Sequence, residues 1–180
     1  MNALQVQYKE KIVPKLLKEL SLPNVMAVPK IEKVVINAGV GKTLKDGKLL
    51  DAIIEDFKRI TGQAPVKTLA KKSISGFKIR ENQVVGLVVT LRGSRMYDFL
   101  EKLVRVALPR IRDFKGLNPK SFDGRGNYSI GISEQVVFPE TSREHIDQTF
   151  GFEINIQTSA ADNAQAQALL KSMGFPFAKG

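Results

Sequence analysis

The stretch AKKSISGFKIR, Ala70 to Arg80, holds Lys71, Lys72, Lys78 and Arg80 and no acid. Lys67 just before it brings the run to five cations without a carboxylate. Such a run meets phosphate, lysine as a point charge and arginine as a planar fork of donors. Ser73, Ser75 and Gly76 have low helix propensity, so a surface helix explains it poorly. The run is also too long for a tight hairpin turn. It reads as a long, mobile excursion between two strands, and long loops in compact domains are usually functional or disordered. Phe77 and Ile79 then stand exposed at its end or fold back onto the core.

Other residue groups that suggest chemistry do not support a reaction. GVGKT, Gly39 to Thr43, resembles the end of a phosphate-binding P-loop, but that pattern needs a glycine where Ile36 stands. The glycines are better read as a tight backbone turn after a strand, with Lys42 adding charge. His145 is the only histidine and sits among charges, so it reads as a surface residue rather than a general base. Glu55 and Asp56 lie beside Lys58 and Arg59 and read as a solvated helix face. The chain has no cysteine, which excludes disulfides, thiolate metal sites and cysteine catalysis and fits a reducing compartment. No catalytic centre, cofactor or metal is expected.

The charge is uneven. Residues 1–116 carry 23 Lys/Arg against 11 Asp/Glu, a net of +12, and residues 117–180 carry 5 against 7, a net of −2. A basic face beside a nearly neutral remainder suggests a polyanionic partner. With 180 residues, 43% of them hydrophobic, one globular domain over 1–180 is expected. No signal peptide follows Met1, and the longest apolar run, Val84 to Leu91, is too short to cross a bilayer. The chain reads as cytoplasmic, with no membrane partner.

The elements that must position these residues can be read from periodicity. Residues 4–20 look helical, with Pro14 expected to break or restart the helix. Lys30 to Ala38 reads as a strand. Asp46 can cap a helix through Ile60 with Ile53, Phe57 and Ile60 on one face, ended at Gly62. Pro65 to Leu69 and Val84 to Arg92 read as strands flanking the basic run. Ser94 can cap a helix with the stripe Met96, Leu100, Leu103 and Ala107, ended by Pro109. Gly116 to Asn127 is a loop, Tyr128 to Ser133 and Phe150 to Thr158 are strands, and Asp162 to Met173 is a helix. Together they predict an α+β fold: a largely antiparallel sheet, helices packed on one face, and a long basic loop between two strands.

Alternation separates the two faces of that sheet. Tyr128, Ile130, Ile132, Phe150, Phe152, Ile154 and Ile156 should face the helices. Ser129, Gly131, Ser133, Gly151, Glu153, Asn155 and Gln157 should face outward, and Gly86 and Thr90 lie opposite Val85, Leu87, Val89 and Leu91. The open face is small, polar and rich in glycine. It suits close approach of a ribose-phosphate backbone and lacks the exposed aromatics that base stacking needs. A plain solvated face has the same pattern.

Several blocks, in order along nearly the whole chain, resemble the bacterial large-subunit ribosomal protein L5 family: VVINAGVG, TGQAPVKTLAKKSISGFKIR, VTLRGSRMYDFLEKL, LPRIRDFKGLNPKSFDGRGNYSIGI and the terminal GFPF. The resemblance implies a non-catalytic structural constituent of the large subunit. Such a protein binds 5S ribosomal RNA and anchors it in the central protuberance, contacts 23S ribosomal RNA and neighbouring central protuberance proteins, and resides in the cytoplasm on the ribosome. It implies a 5S-facing surface of Asn37, Gly39 and Gly41, Gln63, Thr90 and Arg92, and Gly131. It implies that the basic loop, through Lys71, Lys72, Ser73, Phe77, Lys78 and Arg80, reaches the P-site tRNA. It further implies an intersubunit bridge to a small-subunit head protein through Arg110, Arg112 and Asp113 and through Glu134, Arg143 and Glu144. The chain departs from the family after the basic run, where ENQVVG, Glu81 to Gly86, stands in place of a segment with Gly and Pro. A transient RNA chaperone or assembly factor is the runner-up, separated by whether the chain stays with large subunits in high salt.

Overall fold

A computed structural model describes residues 3–41, 47–141 and 149–178. The fold is α+β. Strands β1 (Ile31–Gly39), β2 (Val66–Leu69), β3 (Val84–Leu91), β4 (Tyr128–Ile132) and β5 (Phe152–Thr158) form one antiparallel sheet in the order β2-β3-β1-β5-β4. By packing, the chain divides into two compact units. One comprises Met1–Val34, Leu91–Ile130 and Asn155–Gly180, and the other Val35–Thr90 and Gly131–Ile154.

In the first unit Pro14 stands where one helix restarts, as expected, and Pro109 stands one residue before the other ends at Arg110. Proline lacks an N–H, and its ring collides with the carbonyl four residues back. Both helices avoid the collision in the same way. The turns ahead of the prolines, Tyr8–Ile12 and Leu103–Ala107, are π-helical, with the Val13 N–H donating to the Tyr8 carbonyl and the Leu108 N–H to the Leu103 carbonyl. The wider turn makes room for the ring, and the helices run on as Val13–Glu19 and Leu108–Arg110. The stripe Met96, Leu100, Leu103 and Ala107 is buried as expected. Ser94 is not the cap: Gly93, at φ +60°, begins the helix, Arg92 occupies the N-cap position, and no side chain caps it.

Tyr8 packs near Tyr97, ring centres 6.3 Å apart, and its hydroxyl donates to the Pro29 carbonyl at 3.0 Å. Burial, with the Tyr97 hydroxyl nearby, pushes the Tyr8 phenol up to about 12. The loop before β4 is tied by Asp123, which accepts from the Arg125 N–H at 2.8 Å, the Asn127 N–H at 3.0 Å and Asn127 Nδ2 at 2.7 Å. The Asn127 side chain above all holds that carboxyl below the usual range. Asp162 caps the last helix, Asn163–Ser172, by accepting from the Gln165 N–H at 2.8 Å.

In the second unit the helix Gly47–Thr61 buries Ile53, Phe57 and Ile60. The Phe57 ring meets Phe150 at 5.8 Å and Phe152 at 6.0 Å between centres. The expected cap, Asp46, lies outside the described residues. Gly62 ends the helix at φ +69°. Glu55 is on the exposed face, paired with Lys58, but Asp56 is not: it is only 3% exposed. Three residues after Ile53 and four before Ile60, it shares their side of the helix.

In β4 and the start of β5 the alternation follows expectation, whereas Asn155, Gln157 and Val85 are half-buried and Gly86 is buried. Tyr128, Ile130, Ile132, Phe152, Ile154 and Ile156 are buried, while Ser129, Gly131, Ser133, Gly151 and Glu153 are exposed. In β1 the same period buries Val34, Ile36, Ala38 and Val40 and turns Asn37 and Gly39 outward. β2 and β3 pair Val66 with Val88, Lys67 with Leu87 and Thr68 with Gly86, then shift register so that Leu69 meets Val84. The shift is a bulge at the point where the chain leaves the sheet for the basic run.

Candidate nucleic-acid interface

Asn37 and Gly39 at the end of β1, Gly131 and Ser133 beside β4, and Gly151 and Glu153 at the start of β5 line an open depression of about 400 Å³. Strands hold Asn37, Gly39, Gly131 and Glu153, and Ser133 and Gly151 flank the ends of β4 and β5. The glycines fall into two kinds. No described residue stands within 4 Å of where a Cβ would sit at Gly39, Gly41 or Gly131, and none of the three has a left-handed φ. A Cβ at Gly86 would stand 2.6 Å from Thr68 Oγ1 and 3.2 Å from the Ala38 carbonyl. At Gly151 it would stand 3.0 Å from the Ile132 carbonyl. Packing therefore crowds any side chain at 86 and, less severely, at 151. At 39, 41 and 131 it does not, although glycine in a strand costs roughly 0.5–1 kcal/mol relative to alanine. There the missing side chains leave space that no described residue fills.

Gln63 and Thr90 also come together. Gln63 Nε2 lies 3.4 Å from the Thr90 carbonyl, a long hydrogen bond. The turn carrying Gln63 is held by Thr61, buried at 6% exposure, whose hydroxyl accepts the Gln63 N–H at 3.2 Å. The same hydroxyl lies 2.6 Å from the Phe57 carbonyl and 2.9 Å from the Gln63 carbonyl, so its one proton serves either. Arg92, in the first unit, is exposed at the head of its helix.

The basic run is the expected long excursion between β2 and β3, folded back as an arm and tied by backbone hydrogen bonds and one isolated bridge. Ala70 N–H donates to the Gln83 carbonyl at 2.9 Å and Asn82 N–H to the Ala70 carbonyl at 3.0 Å. Ile74 and Ile79 exchange two bonds at 2.9 and 3.2 Å. Ser73 Oγ accepts from the Glu81 N–H at 2.9 Å, and Ser75–Phe77 closes the tip. Lys71, Lys72, Ser73, Phe77, Lys78 and Arg80 are all exposed, Phe77 at 74%, so its ring does not fold back onto the core; Ile79 is half-buried. Among the described residues no acid pairs with Lys67, Lys71, Lys72, Lys78 or Arg80. Nor does any group of His, Asp or Glu there form a metal site, and no helix is long and apolar enough to cross a membrane.

Residues 24–80 match the sequence profile of "Ribosomal protein L5", and residues 84–177 match the profile of the C-terminus of the same ribosomal family. The chain belongs to the ribosomal protein L5 family. Proteins named large ribosomal subunit protein uL5 align along nearly its full length. That of Halothermothrix orenii is 56% identical over 98% of this chain and 99% of its own, and that of Idiomarina loihiensis 52% over 99% and 100%. That of Dichelobacter nodosus is 54% identical over 98% and 99%.

Where this L5 chain has ENQVVG in place of Gly and Pro, Asn82 adopts φ +63° and makes the left-handed turn without glycine. Gln83 Oε1 secures it by accepting the Arg80 N–H at 3.0 Å. Of the expected bridge residues, Arg110 ends its helix, and Arg112 and Asp113 follow in an exposed turn with Asp113 at φ +55°. Glu134, in the second unit, is exposed ahead of the Gln135–Val137 turn. Arg143, Glu144, His145 and Lys42 lie outside the described residues. The depression adds three residues to the expected face: Ser133, Gly151 and Glu153. Alternation had put them outward, but their types do not distinguish them from solvated neighbours.

Proposed function

We propose that the chain is a non-catalytic structural constituent of the large ribosomal subunit, working in the cytoplasm as a single RNA-binding module. Its open sheet face holds 5S ribosomal RNA and anchors it in the central protuberance. The observation that carries this reading is the depression bounded by Asn37, Gly39 and Gly131, where glycines leave space that the fold itself does not fill. Asn37 and Gln63 offer donors and acceptors to 2′-hydroxyls and base edges, Thr90 and Gly41 extend the face, and Arg92 supplies a phosphate contact. The arm, cationic and without acids, serves the P-site tRNA. Arg110, Arg112, Asp113 and Glu134, with Arg143 and Glu144, serve a small-subunit head protein. The remaining basic surface serves 23S ribosomal RNA beside other central protuberance proteins.

The test separates face from arm. Combining Asn37→Ala, Gln63→Ala and Thr90→Val should weaken binding to isolated 5S RNA by about a hundredfold, three hydrogen bonds at about 1 kcal/mol each. Combining Lys71→Gln, Lys72→Gln and Arg80→Gln should leave that binding nearly intact and reduce tRNA crosslinking on assembled ribosomes. Equal loss of 5S binding in both variants would show that the division is wrong.

A further inference from the structure

The outward residues around the depression are nearly all neutral: Asn37, Gly39, Gly131, Ser133 and Gly151. Glu153 is the one charge among its lining residues. It is exposed, and no hydrogen bond or ion pair to a described residue engages it. A carboxylate on a surface meant for RNA faces repulsion from phosphates, unless the group brought to it is rich in donors. We infer that the depression takes one unpaired guanine, whose N1–H and N2–H groups both donate to the Glu153 carboxylate; the inference rests on the RNA-binding reading above.

The chemistry selects guanine over the other bases. An ionised carboxylate only accepts hydrogen bonds. The Watson–Crick edge of guanine presents two adjacent donors, matching the two oxygens. Adenine and cytosine each set one amino donor beside a ring nitrogen that accepts, and uracil sets its single N–H between two carbonyls. Those acceptors would face the carboxylate and repel it. In a base pair the guanine edge is already occupied, so the base must be splayed from a loop or bulge, the form in which RNA sequence is usually read. The volume, about 400 Å³, admits a base, and Gly39 and Gly131 keep the approach open. Asn37 and Ser133 border the same space and can bond the remaining polar atoms of the nucleotide.

The sign of one substitution distinguishes this from a solvated acid. Glu153→Gln removes a negative charge, so a bystander's loss should leave 5S RNA binding unchanged or tighten it. A carboxylate that reads guanine should instead lose affinity by roughly tenfold, one charge-assisted pair of bonds. The experiment measures binding of wild type and Glu153→Gln to 5S RNA carrying inosine, which lacks the 2-amino group, at each unpaired guanosine in turn. The expected result is one position where inosine weakens wild type by roughly tenfold and the variant hardly at all. If wild type binds 5S RNA but Glu153→Gln binds as well or better and no inosine position couples to it, the guanine inference is overturned and the RNA-binding reading stands. If wild type does not bind 5S RNA, both fall.

Discussion

The depression and the basic arm belong to the same unit and are built on opposite principles. The depression is neutral apart from Glu153, lined by strands and the residues at their ends, its glycines at 39 and 131 leaving room that no described residue fills. The arm projects four cations, with Lys67 in β2 at its base, that no acid in the described chain neutralises, and its side chains are almost all exposed. A rigid surface with placed donors and acceptors can discriminate by shape and hydrogen bonding. A cationic arm supplies attraction that depends on salt and little on sequence. One small unit can thus separate recognition from attraction by placing them on different elements.

The largest effect should come from filling the space on the face. Gly131→Val adds a β-branched residue suited to a strand, with nothing within 4 Å of its Cβ. Its melting temperature should stay within a few degrees of wild type. Binding to 5S RNA should fall by at least about a hundredfold, the size of a lost hot spot. Gly86→Val makes the opposite case, because its side chain would meet Thr68 Oγ1 and the Ala38 carbonyl. Overpacking there should cost about 1–3 kcal/mol, seen as a melting point lower by roughly 2–10 °C. If Gly131→Val melts as early as Gly86→Val, the distinction between the two kinds of glycine fails.

That distinction was not legible in the sequence, where Gly39, Gly86, Gly131 and Gly151 all appear as glycines on outward strand positions. It needs the neighbours across the sheet, which only pairing brings together. What was legible depends on period alone: the buried Tyr128, Ile130 and Ile132 against the exposed Ser129, Gly131 and Ser133, and the stripe from Met96 to Ala107. Pro14 and Pro109 marked a restart and an end, but the widened turn ahead of each ring, which removes the clash, leaves no trace in the sequence pattern. Asp56 was misread because its neighbours in sequence are charged, whereas its neighbours on the helix are Ile53 and Ile60. The arm is tied by bonds joining Ala70 to Asn82 and Gln83 and by one exchange between Ile74 and Ile79, too few to leave a periodic trace. The L5 resemblance singled out face and arm residues that periodicity alone would have left among many polar positions.

Salt dependence sharpens the comparison at the next scale. The affinity of the whole chain for 5S RNA should fall with a slope of about −4 in log affinity against log salt, for roughly five phosphate contacts. If face and arm are separate, neutralising Lys71, Lys72 and Arg80 should leave this slope nearly unchanged. The same variant should flatten the salt dependence of tRNA contact on the assembled ribosome by about 2–3 units, one for each phosphate lost. A 5S slope that falls by the same amount would mean that the arm lies along 5S RNA and that the two regions share one ligand.

The smallest expected effect concerns Phe77, the exposed aromatic at the arm's tip. At 74% exposure it has little packing to lose, so Phe77→Ala should change folding stability by no more than about 0.5 kcal/mol in a denaturant titration. If the exposed ring stacks on a base of the proposed tRNA partner, that contact is worth about 1–3 kcal/mol. The variant should therefore weaken tRNA contact without altering its salt slope, because stacking releases no counterions. A stability loss above about 1 kcal/mol would instead make Phe77 a brace for the hairpin, beyond what ordinary surface substitutions cost, and would return the arm's action to charge alone.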